Sequence, residues 1–403
     1  MTEKGALSSL LVADFSRVLA GPFCTMTLGD LGAEIVKVER PGGDDTREWG
    51  PPFVDGESTY YLGVNRNKRS IVLDLHEPED RLVAVQLATR ADVVVENFRP
   101  GTMGRFGLDE PTLRRDNPGL VYCSITAFGT GAGHRLAGYD LLVQALGGLM
   151  SITGFDDEHP TKVGVALVDV LAGLFATVGI LAALRERDRT GQGQLVEINL
   201  MSALLAALAN QASSYVLAEE IPPAMGNGHA SIAPYDSYAT GDGTIVLAVG
   251  NDKQFDALCD ALLIPGLARD PRFVSNELRV RNRGSLREHL ETALASNSAG
   301  YWTTILPALG IPAGAVNNIG QAFALAERLG LRPIRHTDGD DAGRQVASPI
   351  TLSVTPVTYR TRAPRLGEHS AEIRSSLHQH NGLARQLSGD GTRVGERLLH
   401  ELD

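Results

Sequence analysis

Five short apolar segments in the first third of the chain alternate with helix-like stretches, and this alternation constrains the fold more than any other feature. The segments are residues 10–15, 34–39, 70–75, 92–97 and 120–128. Each is short and rich in Val, Ile and Leu, which is typical of buried strands. Strands that alternate with helices form a mostly parallel sheet with helices on both faces. The sequence therefore predicts an α/β fold.

The pattern changes in the middle of the chain, which predicts a second domain. Ala-, Gly- and Leu-rich stretches over 140–218 are typical of helices that pack against other helices, and a strand-like QLVEINL interrupts them. A hairpin-like segment and amphipathic helices follow before short apolar segments return. We expect a large domain of residues 1–200 and 331–403, a linker over 201–225 and a smaller α+β domain over 226–330.

Composition excludes several classes of protein. The 403 residues carry a net charge of −11 without a basic block, which argues against nucleic acid or an anionic membrane as a partner. We expect no membrane-spanning run of about 20 apolar residues, and the start, MTEKGALSSLL, lacks a signal-peptide pattern. The three cysteines, Cys24, Cys123 and Cys259, are not spaced as metal ligands. We expect a cytoplasmic, globular protein without a metal site.

The first strand–helix–strand unit resembles a dinucleotide site only superficially. Glu39 ends the second strand about where a ribose-binding acid belongs. The first turn, residues 17–22, lacks the required glycines, and Pro22 removes a backbone donor that a pyrophosphate needs. An enzyme that uses NAD is therefore disfavoured.

Basic side chains recur near the ends of the predicted strands, where open parallel sheets bind their ligands. They are Arg40, Arg47, Lys68, Arg69, Arg99 and Arg105. Arginine binds phosphate groups bidentately through its planar guanidinium. For any one of these residues a solvated surface charge is the simpler interpretation, but their recurrence in an acidic protein favours a phosphorylated, nucleotide-like ligand.

Asp169 is the carboxylate in the most informative position. It lies in VGVALVDVLAG, where a long apolar helix begins. An aspartate there can cap the helix, or it can be a functional carboxylate of the kind that clusters in active sites. The residues alone leave both possibilities open. Cys24, near another helix start, is interpreted as a buried core residue rather than an activated thiol.

Five longer segments carry a family resemblance. They are DFSRVLAGPFCTMTLGDLGAEIVKVERPGGDDTR (14–47), NRNKRSIVLDL (65–75), ADVVVENFRPGTMGRFGLD (91–109), GYDLLVQALGGLMSITG (138–154) and VALVDVLAGLFA (165–176). In these segments the chain resembles the family III CoA-transferases, the group of formyl-CoA:oxalate and carnitine CoA-transferases with their racemase relatives. The resemblance implies a Rossmann-like large domain with a parallel sheet, a smaller α+β domain and an interlocked homodimer.

The resemblance also implies roles for particular residues. Asp169 matches the family's nucleophile, which exchanges CoA through covalent aspartyl intermediates and requires no cofactor besides the CoA thioester substrate. Asp140 lies where the formyl-CoA enzyme has a glutamate near the acyl group, beside Tyr139. The family's CoA contacts fall on Val18, Arg40, Leu73, Asn97, Phe98 and Arg105.

Two departures bear on the substrate. The formyl-CoA:oxalate enzymes have a run of glycines where residues 226–232 read GNGHASI, and Leu19 occupies their active-site glutamine position. The GNGHASIAPYDSY and AVGNDKQF stretches look more like members that use succinyl-CoA and act on dicarboxylates. The expected reaction moves CoA from succinyl-CoA or a similar donor to a carboxylic acid.

Three alternatives stay open. A formyl-CoA:oxalate CoA-transferase is the first, and a 2-methylacyl-CoA racemase of the same fold is the second. Racemases have a histidine where this chain has Tyr139, whose high ordinary pKa makes it a poor base at neutral pH. The third alternative is a CoA-binding protein without catalytic activity.

Overall fold

The computed structural model describes residues 5–337 and 343–387, and of residues 380–387 it describes only the backbone. These residues form two compact units. The described parts of 1–143, 166–207 and 334–403 form the first, and residues 144–165 with 208–333 form the second. The second unit thus includes residues 144–165, which lie within the expected range 1–200 of the large domain. The end of the chain, 388–403, lies outside the described residues.

The strands are short, and most of them fall in the segments with apolar, β-branched sequences. They are β1 (Leu11–Asp14), β2 (Glu34–Glu39), β3 (Phe53–Val54), β4 (Glu57–Ser58), β5 (Lys68–Val72), β6 (Val93–Glu96), β7 (Val121–Thr126), β8 (Leu195–Asn199), β9 (Tyr235–Ala239), β10 (Thr244–Ala248), β11 (Ala313–Ala315), β12 (Ile334–His336) and β13 (Arg344–Val346).

The helices vary from one turn to more than six turns. They are α1 (Ala20–Asp30), α2 (Thr59–Val64), α3 (Pro78–Arg90), α4 (Glu110–Asp116), α5 (Asp140–Leu146), α6 (Leu149–Ile152), α7 (Leu167–Thr190), α8 (Leu200–Ala207), α9 (Ala209–Ala218), α10 (Asp252–Ala261), α11 (Asn276–Arg281), α12 (Arg283–Leu294), α13 (Ala299–Ala308), α14 (Ile319–Arg328) and α15 (Ser370–Leu387).

A six-stranded parallel sheet is the centre of the first unit. Its strand order is β5-β2-β1-β6-β7-β8, and every pairing is parallel. All four residues of β6 are buried, as expected for a parallel strand covered on both faces. From β1 the chain moves first to β2 on one side and later to β6 on the other. The predicted α/β fold with a parallel sheet is confirmed.

The end of the described chain returns to the first unit. Helix α15 packs against α3 and β5. Its residues Ile373 and Leu377 join the core formed by side chains such as Val36, Ile71 and Val94. Residues far apart in sequence therefore complete one hydrophobic core, and burial of their apolar surface stabilises the sheet.

Helix α7 is more apolar than the sequence pattern suggested. Helix α7 is long and apolar enough to cross a membrane, judged by length and composition alone. The bent pair α8–α9, taken together as one span, is also long and apolar enough. The expectation that no run is long enough was therefore wrong. Buried residues such as Ala172, Ala176 and Ile180 pack α7 against α1, α8 and β7. This packing accounts for the apolar residues on the buried side of α7, and 44% of its apolar span is buried in the single chain.

The second unit has a small antiparallel sheet with the order β11-β10-β9. Helices α10, α12 and α13 contribute to its core, which includes Phe255, Leu290 and Trp302. Residues 226–232, which replace the glycine run, belong to this unit. The guanidinium of Arg283 fixes them by donating to the carbonyl oxygens of His229 at 3.3 Å and Ala230 at 3.1 Å.

Candidate active site

A cavity of about 180 Å³ lies at the carboxyl end of the parallel sheet. Its walls come from the loops after β1, β6 and β7 and from the first turns of α7 and α8. The chain leaves β1 toward β2 but returns on the opposite side at β6, so the loops after β1 and β6 separate here. Such a switch point is where open α/β sheets bind their ligands.

The turn after β1 forms one wall of the cavity and is held by side chains from two other strand ends. Asn97, directly after β6, accepts a hydrogen bond from the main-chain N–H of Arg17 at 2.9 Å and donates to its carbonyl oxygen at 2.7 Å. Both carboxylate oxygens of Asp44 lie 3.3 Å from the main-chain nitrogen of Val18. The Asn97 side chain is therefore already bonded to protein at both of its polar ends.

Arg17 and Phe98 belong to this wall, and a second arginine lies next to them. The guanidinium of Arg17 lies 5.8 Å from the ring centre of Phe98 and 3.1 Å from the carboxylate of Asp45. The exposed Arg40 forms an ion pair with the same Asp45 carboxylate at 2.5 Å. One aspartate thus holds two arginines close together, in an arrangement suited to phosphate groups.

Asp169 reaches the cavity from the first turn of α7, where it is the third residue of the helix. One turn later, Gly173 lets α7 lie close to the start of α1, because a Cβ atom there would be 2.6 Å from the carbonyl oxygen of Ala20. The helix that carries Asp169 is therefore in close contact with α1 one turn beyond the cavity.

The capping of α7 is done by Asp140 and not by Asp169. One carboxylate oxygen of Asp140 accepts hydrogen bonds from the main-chain N–H groups of Val168 at 2.7 Å and of Asp169 at 3.3 Å. The N-cap position itself is Ala166, which has no side-chain acceptor. The side chain of Asp169 is therefore not required to cap its own helix.

Burial and charge both make Asp169 a weaker acid than usual. Desolvation, followed by the nearby negative charge of Asp140, raises the pKa of Asp169 to about 7. Carboxyl groups whose pKa is shifted by burial and by a specific charged neighbour are concentrated at active sites.

Tyr60 is a neighbour of Asp169 that the sequence did not reveal. Burial, and then the charges of Asp169, Asp140 and Asp44, raise the pKa of Tyr60 to about 12. Its ring packs edge-on against Trp49, with 5.4 Å between the ring centres. Tyr60 lies in the short helix α2, whose sequence has no pattern that would indicate a site.

The structure brings only some of the expected site residues together. Val18, Asn97, Phe98, Tyr139 and Asp169 line the cavity. Asp140 does not line the cavity but accepts a hydrogen bond from the main chain of Asp169, and Leu73 is in the hydrophobic core and 1% exposed. Arg40 and Arg105 are exposed and do not line the cavity.

The structure also shows the environment of the Cys24 thiol and of possible metal ligands, which the sequence analysis considered. Burial raises the pKa of the Cys24 thiol to about 12, so that it is protonated at neutral pH, as expected of a core residue. Within residues 5–337 and 343–387, no cluster of three or more His, Cys, Asp or Glu side chains is arranged to hold a metal ion.

This fold and cavity agree with what comparison with known proteins shows. The chain belongs to CoA-transferase family III, whose family model matches residues 7–370. A crystal structure of a CAIB/BAIF family protein from Brucella suis superposes with a TM-score of 0.83 at 41% sequence identity, covering 93% of this chain and all of that one. The resemblance seen in the sequence is confirmed.

Characterised relatives are transferases. The succinate–glutarate CoA-transferase of Agrobacterium fabrum is 42% identical to this chain over 93% of it and 96% of that protein. The succinyl-CoA:glutarate CoA-transferase of Mus musculus is 40% identical over 91% of this chain and 85% of that protein. This chain is accordingly a CoA-transferase with succinyl-CoA-dependent homologues, and the racemase and formyl-CoA:oxalate alternatives are not favoured.

Proposed function

We propose that this enzyme moves CoA from succinyl-CoA, or a similar short dicarboxylic acyl-CoA, to a carboxylic acid through covalent intermediates on Asp169. The observation that carries the proposal is the carboxylate of Asp169 in the cavity at the switch point of the sheet, on a helix start that Asp140 caps. The names of the relatives from Agrobacterium fabrum and Mus musculus support the choice of donor.

The first half-reaction replaces one activated acyl bond by another. A carboxylate oxygen of Asp169 attacks the thioester carbonyl carbon, the carbon–sulfur bond breaks, and CoA leaves as a thiolate. The thiolate then attacks the aspartyl carbonyl of the resulting mixed anhydride, and the donor acid leaves as a carboxylate. The product is a CoA thioester of Asp169. Each step exchanges bonds of similar energy, so that covalent catalysis needs no external energy source.

The second half-reaction is the reverse with another acid. The acceptor carboxylate attacks the aspartyl thioester, CoA thiolate leaves, and a new mixed anhydride forms. The thiolate attacks the acceptor's carbonyl carbon, which releases the new acyl-CoA and regenerates the Asp169 carboxylate. The negative oxygens of the tetrahedral intermediates need hydrogen-bond donors that are already in place.

The raised pKa of Asp169 affects this role in two ways. A nucleophilic carboxylate must be ionised, and its pKa of about 7 makes ionisation incomplete in the ligand-free site. A carboxylate that is poorly solvated and repelled by Asp140 is also more reactive toward a carbonyl carbon than one that water stabilises.

We also propose a homodimer, interlocked as the family resemblance implies. Helix α7 has an apolar face directed away from the core of its unit, with Leu174, Phe175 and Val178 exposed. A contiguous exposed apolar face is typical of a protein–protein interface. The cytoplasmic location and the independence from any cofactor besides CoA stay predictions.

The substrate assignment is tested with a panel of donors and acceptors. Succinyl-, glutaryl-, acetyl- and formyl-CoA are each incubated with glutarate, mesaconate and oxalate, and the CoA products are identified by mass spectrometry. We expect the highest kcat/KM with succinyl-CoA and a dicarboxylate acceptor. Formyl-CoA with oxalate as the best pair would contradict the proposal.

The racemase alternative is tested in deuterated water. A racemase removes and returns the proton next to the thioester, so a 2-methylacyl-CoA would gain deuterium at that carbon. We expect CoA exchange without deuterium incorporation.

A further inference from the structure

Val18 has a backbone conformation that its own side chain disfavours. Its φ angle is +69°, in the left-handed region. A β-branched residue with such an angle is an outlier, because Cβ approaches the following carbonyl oxygen. Strained residues of this kind persist only where their surroundings hold them, and they are concentrated at functional sites.

The group that holds Val18 is Asp44. Both of its carboxylate oxygens lie 3.3 Å from the Val18 nitrogen, and the carboxylate accepts further hydrogen bonds from the N–H of Thr46 at 3.0 Å and its hydroxyl at 2.8 Å. Lys37 lies 2.8 Å from the same carboxylate and also donates to the carbonyl oxygen of Ser16 at 2.9 Å. Asp44 and Lys37 thus connect β2 to the turn on both sides of Arg17.

This ion pair has no direct access to a ligand in the cavity. The side chains of Lys37 and Asp44 are each 1% exposed, and neither residue lines the cavity, whereas Val18 does. A buried ion pair gives little net stability compared with apolar residues of similar size. Stability alone therefore does not explain why this ion pair is present. Its contact with the strained residue Val18 in the cavity wall does offer a reason.

We propose that Asp44, fixed by Lys37, is a positioning residue for CoA transfer, which holds Val18 in the left-handed conformation that shapes the cavity wall beside Asp169. The inference rests on the proposed function, since it takes this cavity as the place where acyl-CoA binds. Asp44 acts only through Val18 and contacts neither CoA nor the acyl group.

A double-mutant cycle with glycine at position 18 tests this role. Glycine adopts positive φ angles without strain, so it removes the need for Asp44. Asparagine leaves a single acceptor oxygen for Lys37, Thr46 and Val18, and the Val18 contact at 3.3 Å is the longest of the three. We therefore expect Asp44→Asn to release Val18 and to weaken binding of free CoA, measured by titration calorimetry, by about tenfold. The acyl-CoA KM should rise more than kcat falls. In the Val18→Gly background, Asp44→Asn should change the CoA affinity by less than about threefold.

Two further variants separate positioning from loss of stability. Asp30→Asn removes a buried carboxylate that binds Arg66 at 2.6 Å and is far from the turn, and it should leave CoA affinity unchanged. Thr46→Val removes only one hydrogen bond to Asp44, so it provides a milder test if Asp44→Asn does not fold. We expect it to weaken CoA binding in the same direction, and the Val18→Gly substitution to remove the effect.

The results distinguish this inference from the proposed function. Equal effects of Asp44→Asn in the wild-type and Val18→Gly backgrounds would overturn the positioning role, as would a crystal structure of the Asp44→Asn protein in which Val18 keeps its φ near +69°. The crystal structure tests the effect of Asp44 on the φ angle of Val18 and needs no bound ligand. A wild-type protein that exchanges no CoA between any donor and acceptor would instead contradict the proposed function.

Discussion

Asp140 caps the helix that carries Asp169, with one carboxylate oxygen 2.7 Å from the main-chain nitrogen of Val168 and 3.3 Å from that of Asp169. The same carboxylate therefore has two effects on its neighbour. Its hydrogen bonds fix the first turn of α7, and its negative charge contributes to the raised pKa of Asp169. Position and reactivity of the proposed nucleophile depend on one side chain.

The pH dependence of transfer tests this link. Asp169 must lose its proton to attack, so we expect kcat/KM for the acyl-CoA to fall about tenfold per pH unit below an inflection near 7. Asp140→Asn keeps an oxygen that can accept the capping hydrogen bonds but removes the charge, so its inflection should lie at lower pH. Asp30→Asn, which removes a distant carboxylate, should keep the wild-type inflection. Identical profiles for wild type and Asp140→Asn would contradict the electrostatic coupling.

Stability should depend on pH through the same residue. The pKa of Asp169 rises from 3.8 to about 7 on folding, so the folded state binds more protons between these values. The stabilisation is fully present below about pH 4 and is lost as pH rises through 7. Asp169→Asn does not titrate, so at pH 8 its Tm should lie above that of wild type, by roughly 1 °C for each kcal/mol of stability gained in a chain of 403 residues. Calorimetry at pH 4 and pH 8 checks this, and a Tm difference that does not grow with pH would contradict it.

The strands of the parallel sheet could be predicted from the sequence because each one is a short segment of contiguous apolar residues. Residues 34–39 have the pattern of a strand and form β2. The direction of each side chain in such a segment could not be predicted. When both faces of a strand are buried, apolar residues occur on both, so the sequence does not show which face a given residue is on. Leu73 was expected to contact CoA by family resemblance, but its side chain lies in the core.

The contacts that shape the cavity could not be predicted because they join distant parts of the chain. Asp140 and Val168 are separated by 28 positions, and Arg17 and Asn97 by 80. Tyr60 comes near Asp169 only when α2 and α7 are folded. Asp169 itself was identified by family resemblance, because an aspartate at a helix start is equally typical of a cap.

Gly173 should be required for the position of α7. Glycine to alanine inside a helix ordinarily stabilises it by up to about 1 kcal/mol. At position 173 the new Cβ would lie 2.6 Å from the Ala20 carbonyl oxygen, so we expect Gly173→Ala to cost about 1–3 kcal/mol and to lower kcat. Gly63→Ala in α2, where a Cβ atom meets nothing within 4 Å, is the matched control. Equal urea midpoints for the two variants would show that the helices can separate freely.

The apolar face of α7 should be buried by a second copy of the chain. Val178 is 63% exposed in the single chain, so we expect Val178→Asp to place a charge in the interface and to give monomers at micromolar concentration. Gln192→Asp adds the same charge at an exposed polar position outside the helix and should leave the dimer intact. Light scattering measures the mass of each. A wild-type protein that is already a stable, active monomer would contradict the proposed dimer.

The most direct test of the account is chemical capture of the intermediate on Asp169. After incubation with succinyl-CoA, hydroxylamine attacks an anhydride or thioester of the side chain but not a resting carboxylate, so peptide mass spectrometry should find a hydroxamate at Asp169. The same peptide should be unmodified without succinyl-CoA, and Asp169→Asn should bind CoA but exchange none, since an amide is a very poor nucleophile. An unmodified Asp169 after turnover, or an Asp169→Asn protein with near-normal exchange, would contradict the covalent mechanism.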